Sequence, residues 1–139
     1  MLIQLLIALG VGVALYGLAV FLLAKFTGTA QEIIVEGYGR RVLHFNSLAC
    51  VLLSPGGVNN AFSPNAEDIY IRHDYIQQMH LAHEFCHGEQ AKEYGPLYLP
   101  WVGKCYVTQG YAKSDPEVLA DQYMEQHYSR FPSIVRLDA

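Results

Sequence analysis

Charged side chains are absent from the first 24 positions of this 139-residue chain, and between residues 5 and 24 only Tyr16 interrupts an otherwise apolar run. At about 1.5 Å of rise per residue, such a run spans the roughly 30 Å hydrocarbon core of a bilayer and predicts a transmembrane helix. It has no polar face of the kind a soluble surface helix carries. The competing reading is a secretory signal cleaved after Ala30, against which stand the missing Lys/Arg before the run and its length. The pattern then changes. Short β-like stretches at residues 32–36, 49–53 and 68–72 alternate with turn signals at Pro55-Gly56-Gly57 and Ser63-Pro64-Asn65. A helix is predicted over 75–93, capped by Asp74 and stopped by Gly95-Pro96, followed by an irregular connection over 97–110 broken by Pro100, Gly103 and Gly110. A last helix opens at Ser114-Asp115-Pro116-Glu117 and ends near Ser129. The expected class is α+β: an anchor over residues 1–26, then one small domain over 27–139 with a short, mostly antiparallel sheet and two long helices.

Composition sharpens this picture at four points. The 52% apolar content is the average of two unlike segments, and 12% aromatic residues exclude a solvated disordered chain. Nine basic against 13 acidic residues, with no basic run longer than Arg40-Arg41, leave no electrostatic footprint for nucleic acid. Lys25, Arg40 and Arg41 follow the apolar run while no basic residue precedes it, so the positive-inside tendency puts the domain on the cytoplasmic side of a single-pass membrane protein. Three cysteines, Cys50, Cys86 and Cys105, cannot all pair within one chain, which fits a reducing compartment.

The chemistry is concentrated at His83-Glu84-Phe85-Cys86-His87, an H-E-x-x-H pattern inside the first predicted domain helix. Residues four apart lie about 40° from each other around a helix, so both imidazoles project from one face and can reach one zinc ion at about 2.0–2.1 Å. Glu84, about 100° round, stands beside such an ion and can take a proton from a bound water. A pair of buried core histidines is the alternative. A catalytic zinc needs a third protein ligand. Glu93 falls on the far face because Gln90, in place of a glycine, lets the helix continue. Glu117 opens the next helix with Asp121 one turn later on the same face, so Glu117 can ligate the metal while Asp121 accepts the free N–H of a ligand histidine.

With Gln90 after the histidines and Glu117-x-x-Ala120-Asp121 on a second helix, the chain resembles the gluzincin metallopeptidases. It is most similar to small bacterial zincin domains with an H-E-x-x-H-x-x-Q helix and, more loosely, to membrane endopeptidases of the prenyl-protein and heat-shock type, which carry membrane helices between the two motifs. The resemblance implies a zincin-like domain, zinc held by His83, His87 and Glu117, Glu84 as general base and acid, and Asp121 behind a ligand histidine. The expected activity is hydrolysis of peptide or protein substrates at a membrane. Tyr106, Tyr111 and His127 are candidates to stabilise the transition state, and the strand at 68–72 is a candidate edge for an extended substrate. His80 is expected in the core or behind the ligands, Cys86 as a buried thiol, and Leu97-Tyr98-Leu99-Pro100-Trp101 as a cleft wall, a bilayer contact or a loop over the core. The alternative function is a membrane-tethered domain whose zinc only holds two helices together. The presence of Glu84 speaks against it, since a structural site has no use for a base.

Overall fold

The computed structural model describes residues 1–53 and 60–138, and in it the apolar run is a single helix, α1 (Leu2–Phe26), whose most apolar stretch is wholly unburied. By length and composition α1 is able to cross a membrane. Its last turns nevertheless belong to the domain. Ala24 is buried with Ala49, Cys50 and Tyr70, Val20 and Leu23 pack on that cluster, and Tyr16 donates a hydrogen bond to the carbonyl of Leu52. The chain leaves α1 through Gly28 at φ +81°, where a Cβ would lie 2.2 Å from the Phe45 carbonyl oxygen, so both the dihedral and the space require glycine.

Strand β1 (Thr29–Val35) pairs antiparallel with β2 (Gly39–Phe45) along its whole length. Beyond these lie β3 (Ala61–Phe62) and β4 (Asp68–Ile71): β4 runs parallel to β2 and antiparallel to β3, giving the order β1-β2-β4-β3. Two of the three pairings are antiparallel, as expected. The expected strand at 49–53 is instead a short helix, α2 (Leu48–Leu53), lying against α1. A continuous apolar run of this length carries no period, and packing along α1 decides its conformation. The expected turn at Pro55-Gly56-Gly57 lies outside the described residues. The one at Ser63-Pro64-Asn65 is present, with Asn65 Oδ1 accepting the N–H groups of Glu67 and Asp68 at 2.9 Å each.

Residues 75–77, expected to open the first domain helix, form β5 (Tyr75–Gln77), paired with β6 (Ile134–Arg136); α3 (Gln78–Tyr94) starts after them with Gln77 at its N-cap. Asp74 does not cap the helix, and its carbonyl accepts the N–H of Leu137. The connection expected to be irregular is a further helix, α4 (Tyr98–Gln109). Pro100 falls in its first turn, where backbone N–H groups have no helical partner to lose, and Gly110 closes it at φ +79°. The last helix, α5 (Asp115–His127), begins as expected with Pro116 in its first turn. Leu43, Phe45, Ile69 and Ile71 from the sheet meet Leu81 and Phe85 from α3, with Phe131 closing the core. At about 1.5–3 kcal/mol per fully buried large side chain, this layer sets the position of α3, and through it the motif.

One buried residue runs against its type. Arg41, counted from sequence as a charge following the apolar run, is 2% exposed, pairs with Glu89 at 2.7 Å and stacks on Phe85. Arg40 pairs with Glu32 at the surface.

Candidate metal centre

The packed pair α3 and α5 brings His83, His87 and Glu117 to one point. His83 Nε2 lies 3.1 Å from His87 Nε2 and 3.1 Å from Glu117 Oε2, and His87 Nε2 lies 3.5 Å from Glu117 Oε1. Three ligands held at about 2.0–2.1 Å in a tetrahedron are separated by about 3.3 Å, and each of these separations is close to that value. The carboxylate straddles the two imidazoles, one oxygen toward each.

The outer partners fix which atoms face inward. His83 Nδ1 is 3.0 Å from Asp121 Oδ1, which can only accept while ionised, so Nδ1 carries the proton. On the other imidazole, His87 Nδ1 is 2.9 Å from Gln90 Oε1. Gln90 Nε2 donates to the Pro116 carbonyl at 3.0 Å, which orients the amide and makes His87 Nδ1 the donor. Both Nε2 lone pairs therefore converge with the Glu117 oxygens on a small volume into which, among the described residues, the Tyr106 hydroxyl brings a donor, on Glu117 Oε1. Such a cluster of acceptors calls for a cation, either protons or a metal ion. The protonation energetics agree. Burial lowers His87, but hydrogen bonding to Glu117 and the charges of Glu84 and Glu117 outweigh it and bring the pKa up to about 9. His83 is raised in the same way against its own burial. Burial favours neutral Glu117, yet the two histidines hold it well below the usual carboxylate range.

Glu84 is 6% exposed, with a carboxylate oxygen and the two imidazole nitrogens all within 4.8 Å of one another. Its Oε2 accepts a 2.7 Å hydrogen bond from Ser63 Oγ, on the turn after β3. Tyr106 donates to Glu117 Oε1 at 2.6 Å and is raised by burial and by that bond. Tyr111 packs edge-on against Tyr106 and lines the cavity. His127 is not part of the cluster: its Nδ1 meets the Tyr38 hydroxyl at 2.9 Å, and its ring packs on Tyr123. His80 is exposed rather than in the core, and Glu93 is exposed as expected. Cys86 is buried, and burial pushes its thiol up to about 12.

Two cavities meet at the cluster. One, of about 490 Å³, extends past Phe62, Leu99 and Val102 to Leu53 and Val20 of α1. The other, of about 470 Å³, extends past Asn60, Gln77, His80 and Asp121. They share Ala61, His83, Glu84, Tyr111 and Glu117, so a continuous groove passes over the site, with β3 along it. The strand at 68–72, expected to be the sheet edge, is interior, and the edge beside the site is β3. Ser63 and the bonding of Gln90 were not legible as site features. Gln90 was visible only as the last element of H-E-x-x-H-x-x-Q, and Ser63 carries no local signal beyond its turn. Comparison with protein-family models, curated proteins and solved structures returns no match.

Proposed function

We propose that the protein is a membrane-anchored, zinc-dependent endopeptidase of gluzincin type. The observation that carries the reading is the triangle of two Nε2 atoms and one carboxylate, each imidazole oriented by an outer acceptor, with a separate buried carboxylate alongside. Two nitrogen and one oxygen ligand with a position left over match catalytic rather than structural zinc. His83, His87 and Glu117 would hold the ion, whose chemistry there would be to lower the pKa of a water and to polarise a carbonyl. Glu84, steadied by Ser63, receives the proton of the attacking water and delivers it to the leaving amine. Tyr106 and Tyr111 both line the groove beside the cluster and are the candidate oxyanion stabilisers, Tyr106 with its hydroxyl on Glu117 Oε1. A groove open on both sides of Glu84 suits an extended chain that adds to the β3 edge and continues past the site, which is the binding mode of an endopeptidase.

The anchor is retained in this reading because Ala24 and Val20 are built into the domain, and cleavage after Ala30 would remove two residues paired in β1. Lys25, Arg40 and Arg41 act on topology before the chain folds, so the later burial of Arg41 does not remove its vote for a cytoplasmic domain. A reporter fused at the C-terminus that is active only outside the cytoplasm refutes that side.

The deciding experiment is elemental analysis of the full chain purified without chelator, paired with peptide-library cleavage by the parent and by Glu84→Gln. About one zinc per chain in both, with turnover lowered by roughly 10²- to 10⁴-fold in the variant, is expected. Absence of stoichiometric metal sinks the reading. Zinc in both with cleavage by neither favours the structural site.

A further inference from the structure

We infer that the groove takes a membrane-inserted polypeptide and cuts it just outside its apolar span, with the span seated on the α1 side and the polar continuation on the other. The inference rests on the endopeptidase reading and adds the substrate class. Its basis is the unequal lining of the two halves of the groove. Toward α1 the described wall is apolar at its far end, with Val20, Leu53, Phe62, Leu99 and Val102, and carries polar groups such as Ser63 and Tyr106 only where it meets the cluster. Away from α1 the wall is mixed, setting Asn60, Gln77, His80 and Asp121 among Met79, Ala112 and Met124, and so offers a polar chain the partners that the Val20 end does not.

Val20 gives the apolar half its location. It lies six residues before the end of α1 at Phe26, about 9 Å along the helix axis, within the stretch fit to cross a membrane. With α1 as the anchor, the turns of it that pack on the domain stand at the bilayer surface, and the cavity opens there through Val20. The elements flanking it are dressed for the same surroundings: Leu48 and Val51 on α2 and Leu99 on α4 are all exposed, at 51%, 41% and 59%. These side chains stand beside a helix that is itself unburied, and lipid covers them at no desolvation cost. A soluble peptide would have to leave water to fill the Val20 half. A chain already inserted in the bilayer enters it sideways, and its polar continuation then crosses Glu84 into the aqueous half.

The test uses the full chain carrying Glu84→Gln, reconstituted in phosphatidylcholine and phosphatidylglycerol vesicles, with the photo-crosslinking residue p-benzoylphenylalanine at Leu99, Met79 or Val118. Met79 lines the polar half, and Val118 on α5 lines neither. The probes are a synthetic peptide with a span of about 20 leucine and alanine residues and a polar tail, and the tail alone. Position 99 should label the span, position 79 the tail, and position 118 neither. Anchoring should raise labelling at 79 by at least about tenfold over the free tail, since both partners are confined to one surface. Equal labelling by free and anchored tails, reversal of the two positions, or labelling of lipid alone at 99 overturns the inference.

The two readings fail separately in cleavage assays with the zinc-loaded parent. Cleavage of the free tail as fast as the anchored peptide preserves the peptidase and overturns the membrane substrate. The expected labelling pattern without any cleavage preserves the seat and sinks the peptidase.

Discussion

Gln90→Leu separates a metal centre built on two helices from a pair of histidines that merely meet. Gln90 is buried and makes two bonds at once, accepting from His87 Nδ1 at 2.9 Å and donating to the Pro116 carbonyl at 3.0 Å. Leucine has nearly the same volume, so the cavity contribution is small and the loss is polar. The buried N–H of His87 is left without an acceptor, at about 1–3 kcal/mol, while the Pro116 carbonyl keeps its place in the ladder of α5 and loses less. A total of about 2–3 kcal/mol lowers the melting temperature by about 6–12 °C for a chain of this size. With its acceptor gone, the His87 ring loses both its tautomer and its aim, so zinc affinity should fall by about 10- to 100-fold, as for other outer partners of ligands. Gln90→Glu keeps an acceptor for His87 but cannot donate to Pro116, so it should lose stability while holding zinc more tightly than Gln90→Leu does. The assays are zinc titration against a competing chelator and thermal unfolding, both on the full chain in detergent. A Gln90→Leu protein that binds zinc as tightly as the parent refutes the argument that this bond orients His87 toward a metal.

Three further outcomes follow from the same geometry. Tyr106→Phe removes the donor on Glu117 Oε1 and should weaken zinc binding by about 10- to 100-fold in the same titration, whereas Tyr111→Phe should leave binding unchanged and lower turnover. Ser63→Ala removes the 2.7 Å bond to Glu84; at about 1.5–3 kcal/mol for a bond to a charged group, turnover should drop by at least about tenfold with zinc content intact. For pH, His87 is raised from its ordinary 6.5 to about 9, so in the metal-free chain its contribution to stability is full below pH 6.5 and is lost as pH rises through about 9. Glu117 is depressed, so its contribution is present above its ordinary 4.5 and is lost as pH falls. The metal-free melting temperature should therefore decline from pH 6.5 to 9. The increment given by zinc should grow over the same interval, because the ion competes with those protons. A zinc increment that shrinks toward pH 9 contradicts this ordering.

Local chemistry made part of this protein legible in its sequence. An unbroken apolar run can be read without tertiary knowledge because its length alone matches a bilayer, and α1 forms where expected. The i, i+4 histidines are likewise local: once α3 is a helix, their shared face follows, and Pro116 after Ser114 and Asp115 marks the start of α5 in the same way. Asp121 was reachable from Glu117 by one helical turn, and the two sit where that spacing puts them, each against His83.

What the tertiary structure decided has a common physical cause, namely that the deciding partner is remote in the chain. Strand β2 alternates Arg41, Leu43 and Phe45 inward, and the pattern is masked because an arginine occupies a buried position that Glu89 and Phe85, both on α3, make tolerable. Residues 49–53 are helical because α1 offers them a surface, and 75–77 are a strand because residues 134–136 arrive to pair with them. Gln90 and Ser63 acquire their roles from Pro116 and Glu84, and no spacing rule relates a turn after a two-residue edge strand to a carboxylate 21 positions later. The contact of Val20 with the groove is of the same kind. Sequence placed that residue in a membrane helix, and only the packing of α1 against the domain turned it into one wall of the site.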